Sequence, residues 1–331
     1  MTDSDPIQQA KDLHQAPLLF DLHADTFYRI ENQGGTFEIT DGTGHIDLPR
    51  LCDLGCVATT QAVYTPKDLP GAAGTSHALT LTARILTAVT RNDSIHLIRH
   101  SSDLDRDGIG LLLHLEGVSP LEGDLDRLHL LSEIGFRSIG LTHNHANEAA
   151  GGCSDQSSTR GLTPFGRELL TAMETLGIAL DVAHLGDAAL EDVFDLATRP
   201  FYTSHTGLRS RCDVPRNLSD TALDEIVGSG GIIAIDFVPE HLTGENIASV
   251  EDIFIQIDQV VDRHGPQFVA IGSDFDGYHS PTTGMEGIQD IPNLTARMYA
   301  AGYPESAIRQ ILGDNATKFF RTLLPEPHPL S

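Results

Sequence analysis

In LLFDLHADTF, residues 18–27, an apolar run ends in three alternating polar side chains, Asp21, His23 and Asp25. A strand sends residues i, i+2 and i+4 to one face, so two carboxylates and an imidazole can converge there. Apolar runs followed by a titratable side chain recur along the chain. Glu116 lies in LLLHLEG, His143 in GLTHNH, His184 in LDVAHLG, His205 in FYTSHTG and Asp274 in VAIGSDFDG. Taken singly, each is more often a hydrogen-bonded core, cap or loop residue than a ligand. Asp155 and Asp276 are read in that way, and Asp21 as either an orienting or a structural hydrogen-bond partner. Jointly, seven residues (His23, Asp25, Glu116, His143, His184, His205, Asp274) fall at the same end of six strand candidates, where an unpartnered charge would be costly. Imidazole and carboxylate without thiolate suit zinc, with manganese, cobalt or iron as alternatives. Such a donor set is too large for one four-coordinate zinc. It suits two ions bridged by a carboxylate, which activate water as a nucleophile.

The elements that must position these residues alternate in type. Strand candidates are 18–23, 56–63, 110–115, 137–141, 178–183, 201–204, 231–237 and 268–273. Amphipathic stretches between and after them predict helices over 76–92, 124–134, 164–176, 187–197, 219–227, 250–264, 305–312 and 315–323. Thr163 before Pro164 marks a helix start, as do Ser219 and Asp220. Alternating strands and helices imply a parallel sheet, and eight such units predict an α/β fold, the (β/α)8 TIM barrel, whose active sites lie at the carboxyl ends of the strands. An open doubly wound sheet would call for a glycine-rich phosphate loop, and neither GxGxxG nor GxxxxGK[ST] occurs. The expected organisation is a polar N-terminal tail (1–16), one barrel domain (17–325) and a C-terminal tail (326–331). An excursion is expected near 30–51 and a long functional loop over 143–161.

The bulk numbers narrow the partners. With 47 acidic against 21 basic residues the formal charge is −26, which disfavours nucleic acid and anionic membranes. The start MTDSDPIQQAKDLHQAP lacks the basic and apolar regions of a signal peptide, and no apolar run reaches the ~18 residues of a membrane span. A cytoplasmic location is the expectation. Four cysteines in 331 residues make no disulfide scaffold, and Cys52 and Cys56 have no second pair to complete a zinc knuckle.

The motifs DLHADTF, HLEGV, LTHNHAN, GLTPFGRELL, LGIALDVAHLG, TSHTG, DVPRNLSD and GSDFDG, in this order over nearly the whole chain, resemble the membrane (renal) dipeptidase family of zinc dipeptidases, within the amidohydrolase superfamily. The opening discriminates, because His23-x-Asp25 replaces the HxH of most amidohydrolases. The resemblance implies that His23 and Asp25 bind one zinc, His184 and His205 a second, and Glu116 both. It implies Asp274 as the acid/base serving the leaving amine, His143 as stabiliser of the oxyanion, and Arg216 as holder of the substrate carboxylate. Dipeptides are the implied substrates, with a D-residue tolerated at the C-terminal position, and a homodimer is the implied assembly. Departures are Val118 where the family often has a second glycine after the bridging glutamate, and the absence of tryptophan. The rivals are another amidohydrolase chemistry, such as deacylation of N-acyl amino acids, and a non-catalytic metal-bound barrel.

Overall fold

The computed structural model describes residues 5–154 and 159–327, so Asp155 lies outside the described residues. Nine parallel strands form one sheet: β1 (Leu19–Ala24), β2 (Cys56–Tyr64), β3 (Ile95–Leu97), β4 (Ile109–Glu116), β5 (Phe136–Gly140), β6 (Ala179–Asp181), β7 (Thr203–Thr206), β8 (Ile233–Ile235) and β9 (Val269–Ile271). The order is β6-β5-β4-β2-β1-β9-β8-β7. Between β6 and β7 the sheet closes on itself: Tyr202 N donates to Leu180 O at 3.1 Å and Val182 N to Tyr202 O at 2.8 Å. The result is a (β/α)8 barrel. All eight expected strands form it. The unexpected β3 is an extra strand beside the first half of β4, along the edge that β5 takes over from Leu113 onward.

Helices between the strands form where periodicity and caps agree. The Thr163 side chain accepts from Gly166 N at 3.0 Å and opens the helix Pro164–Leu176. Ser219 accepts from Ala222 N at 3.2 Å and opens Asp220–Gly228. The C-terminal helix Asn315–Leu323 seals the barrel below the strand ends that carry the site. It stacks Phe320 on Phe20 of β1 at 5.7 Å and places Phe319 5.1 Å from Tyr202. Five helices were not expected: Pro6–Leu13, Thr26–Gln33, Leu48–Leu54, Pro239–Leu242 and Ile291–Ala300. The first lies within the stretch read as a polar tail and buries Ala10 and Leu13. The excursion runs from Thr26–Gln33 to Leu48–Leu54 and is anchored by buried Phe37 and Ile46. Among the described residues no helix is long and apolar enough to cross a membrane.

Candidate metal centre

Five strand ends bring six side chains to one point: His23 and Asp25 from β1, Glu116 from β4, His184 after β6, His205 from β7 and Asp274 after β9. Donor atoms of His23, Asp25 and Glu116 lie within 4.8 Å of one another, and so do those of Glu116, His184 and His205. Glu116 belongs to both groups. Its Oε1 is 3.4 Å from His23 Nε2, 3.0 Å from His184 Nε2 and 3.7 Å from His205 Nε2. Asp25 Oδ2 is 3.5 Å and Asp274 Oδ1 3.9 Å from His23 Nε2, and donor atoms of His23, His205 and Asp274 form a third, overlapping group.

The hydrogen bonds behind the histidines decide which nitrogen faces inward. His184 Nδ1 lies 2.9 Å from Asn144 Oδ1. Its Nε2 lies 3.3 Å from Arg216 Nη2, and a guanidinium only donates, so Nε2 offers its lone pair. His205 Nδ1 lies 2.7 Å from Ser204 Oγ, whose own proton goes to Asp181 Oδ2. The Nε2 of His205 therefore also offers a lone pair. These two Nε2 atoms are 2.9 Å apart and face a carboxylate oxygen. Two lone pairs and an anion at that separation repel unless a cation lies among them.

The electrostatics make the same demand. Burial works against a charge on His23, but Glu116, Asp25 and Asp274 outweigh it and push its pKa up to about 10. Burial pushes Glu116 up to about 8, with His23 opposing. Burial likewise holds Asp274 well above the usual carboxylate range. His184 and His205 are held well below the usual imidazole range, chiefly by burial, with Arg216 and His23 adding to it. The residues thus fit metal ions: the centre is rich in buried anions and inward lone pairs.

His143 lies between His184 (ring centroids 4.5 Å) and Tyr64 (4.3 Å) with its ring tilted to both, and burial pushes its pKa down to about 4. It lines a cavity of about 410 Å³ together with Tyr64, Lys67, Glu116, Asn144 and Glu148. A larger cavity of about 640 Å³, between the helix Ala72–Arg91 and the excursion, contains none of the site side chains. Arg216 is buried against the centre and donates from Nη2 to His205 O at 2.8 Å. Its Nε and Nη1 are buried with no protein partner. Outside the centre, Asp21 accepts from Ser273 N (2.8 Å) and Ser273 Oγ (2.6 Å), which ties β1 to the loop after β9. Asp276 accepts from His45 N at 2.7 Å and holds the excursion.

Sequence reasoning missed several residues here. Ser204, Asp181 and Asn144 back the histidines. Tyr64 and Asp236 stand at the ends of β2 and β8, where no candidate had been placed, and Asp236 Oδ2 accepts from His241 Nδ1 at 2.8 Å. Asp181 and Asp236 each carried a readable signal, a carboxylate inside an apolar run. His184 (φ 63°), Asp274 (φ 58°) and Asn144 (φ 57°) adopt left-handed backbone, a strain of ~1–3 kcal/mol each of the kind that clusters at functional sites.

Comparison with known proteins places the chain among metallopeptidases. The dipeptidase tcpJ of Claviceps purpurea is 28% identical over 297 residues, covering 85% of this chain and 70% of that protein. The crystal structure of a metallopeptidase, dipeptidase AC, superposes with a TM-score of 0.86 at 27% identity, over 93% of this chain and 98% of that one. A metallopeptidase from Rhodobacter sphaeroides, solved with a phosphinate mimic of the dipeptide L-Ala-D-Ala, gives 0.86 at 26% identity, over 92% and 99%. The model of the membrane dipeptidase family (peptidase family M19) matches residues 7–325, from the first helix to beyond the last, so the chain belongs to that family and is a metallo-dipeptidase.

Proposed function

We propose that the chain hydrolyses the peptide bond of dipeptides at a two-zinc centre. His23 and Asp25 hold one ion, His184 and His205 the other, and Glu116 both. The observation that carries this reading is that Glu116 joins the donor group of His23 and Asp25 to that of His184 and His205. When bound, the ions activate water and polarise the scissile carbonyl.

The remaining residues bind, orient and move protons. Arg216 keeps N–H groups on Nε and Nη1 without a protein partner, so its guanidinium has charged donors left for a terminal carboxylate. His143, kept neutral by burial, donates to the oxygen that gains charge in the tetrahedral intermediate. Asp274 takes a proton during attack and gives it to the leaving amine. Its raised affinity for a proton suits that exchange. The ligand of the Rhodobacter sphaeroides structure supports a dipeptide with a D-residue in the C-terminal position.

The test is a panel of free dipeptides with L- and D-residues at both positions, run beside dipeptide amides and N-acetyl amino acids on zinc-loaded protein. Free dipeptides are expected to be cleaved, and Asp274→Asn to abolish turnover. Arg216→Met is expected to raise KM for free dipeptides about 10–100-fold, the worth of a charge-assisted hydrogen bond, while leaving poor amide substrates unchanged. Preferred cleavage of N-acetyl amino acids would move the assignment to deacylation. No cleavage with two zinc ions bound would move it to a non-catalytic barrel.

A further inference from the structure

Ser204 precedes His205 on β7 and is fully buried. Its hydroxyl donates to Asp181 Oδ2 at 2.5 Å. The other carboxylate oxygen of Asp181 accepts from Ala183 N at 3.0 Å and Ser204 N at 2.8 Å, so the acid is fixed from β6 and β7 together. With its proton committed, Ser204 Oγ retains two lone pairs. Two imidazole nitrogens face them: His205 Nδ1 at 2.7 Å and His23 Nδ1 at 3.3 Å. An imidazole that donates from Nδ1 keeps its lone pair on Nε2. These two histidines share a donor group with Asp274, and each also belongs to another, His23 with Asp25 and Glu116, and His205 with Glu116 and His184.

We infer that Ser204, held by Asp181, is a positioning residue that fixes the tautomer of one proposed histidine ligand of each ion, so that both metal ions depend on a single hydroxyl. This rests on the two-cluster reading proposed above. The arrangement differs from ordinary buried hydrogen bonding nearby. Ser138 Oγ bonds His114 Nδ1 (2.8 Å) and the Tyr202 hydroxyl (2.6 Å) in the same barrel interior, yet His114 belongs to none of these groups. Ser138 reaches the relay only at one remove, through His114 Nε2 at 3.6 Å from Asp181 Oδ2, and so provides a graded comparison.

The experiment measures zinc equilibrium constants. Protein stripped by dialysis against a chelator is titrated with zinc in competition with a chromophoric chelator, and thermal unfolding is recorded beside each titration. Ser204→Ala is expected to weaken both sites about 10–100-fold, the usual cost of losing a partner behind a metal ligand. Ser138→Ala is expected to lower thermal stability and to weaken zinc binding much less than Ser204→Ala does. A Ser204→Ala protein that binds both ions as tightly as wild type overturns the inference, as does a loss confined to one site. Equal weakening by Ser138→Ala also overturns it, since general packing would then explain the effect. If Ser204→Ala does not fold, Asp181→Asn decides. It keeps the shape of the acid and removes its charge, and unchanged zinc affinity at both sites counts against the relay. A wild-type protein that binds no zinc refutes the ligand assignment itself, a failure distinct from the others.

Discussion

Gly277 shows how little space the centre leaves. A Cβ there would press on Asp274 Oδ1 and lie 2.6 Å from Asp25 Oδ2, and its three nearest neighbours are all side-chain atoms. The two carboxylates are the mobile ends of side chains, so Gly277→Ala should fold and displace them. A displacement of about 1 Å costs on the order of 100-fold in rate. We expect kcat/KM to fall by about that factor with little change in melting temperature, and a variant with wild-type kinetics would show that the carboxylates tolerate the shift. The seven strand-end residues were legible because each is a polar side chain closing an apolar run. Gly277 was not, because a missing side chain leaves no chemical signature. Ser204 was hidden for a different reason. Neighbours on a regular strand point to opposite faces, so Ser204 and His205 should not meet. On β7 the pairing steps from Thr203 to Thr206 while β8 steps from Ile233 to Ile235, and this extra residue brings Ser204 Oγ to the His205 ring.

β1 carries the same irregularity, with Asp21 and Ala24 opposite Thr59 and Gln61 of β2, and His23 sits within it. Bulged ends of ligand-bearing strands cannot be read from periodicity, which assumes a constant step. The excursion was visible as a break in the strand–helix alternation, but its anchor was not. Asp276 accepts from His45 N at 2.7 Å, its own N–H donates to His45 Nδ1 at 2.9 Å, and Arg29 Nε lies 3.4 Å from its carboxylate. Both charged partners are almost wholly buried. Asp276→Ala would strand the Arg29 charge, and breaking a buried pair costs about 3–5 kcal/mol. Denaturant unfolding should register that loss, with faster amide exchange over residues 34–47, whereas a surface-like change below ~0.5 kcal/mol would contradict it. The helix Pro6–Leu13 had its start signals, Asp5 and Pro6, but only a thin apolar stripe. Its docking buries His14 against Thr295 Oγ1 at 2.9 Å. Burial pushes His14 down to about 4 from 6.5. The unfolded chain takes up this proton first, so stability is lost as pH falls from about 6.5 to 4, by up to ~3 kcal/mol. The stability gap between wild type and His14→Gln should therefore narrow over that window, and a gap constant with pH would remove His14 from the account.

For the whole molecule, the metal centre and the closure of the barrel are one problem. The seam between β6 and β7 rests on two backbone hydrogen bonds at Tyr202 and on the bonds from Ser204 to Asp181. By contrast β2 and β4 pair continuously from Ala58 to Tyr64. His184 and His205 stand on opposite sides of this seam, with Nε2 atoms 2.9 Å apart. An ion held by both would crosslink the barrel where backbone pairing is sparsest, and would neutralise the lone pairs and carboxylates that otherwise repel across it. A ligand at a hundredfold excess over its Kd stabilises the folded state by about 2.7 kcal/mol, roughly 100-fold in amide protection if the gain is local. Removal of metal by a chelator should therefore raise hydrogen exchange first over residues 179–185 and 201–207, ahead of the paired strands β2 and β4, and added zinc should restore protection. Uniform loosening of all strands would place the contribution of the ions in global stability, and no change at the seam would break the link between the centre and closure of the fold.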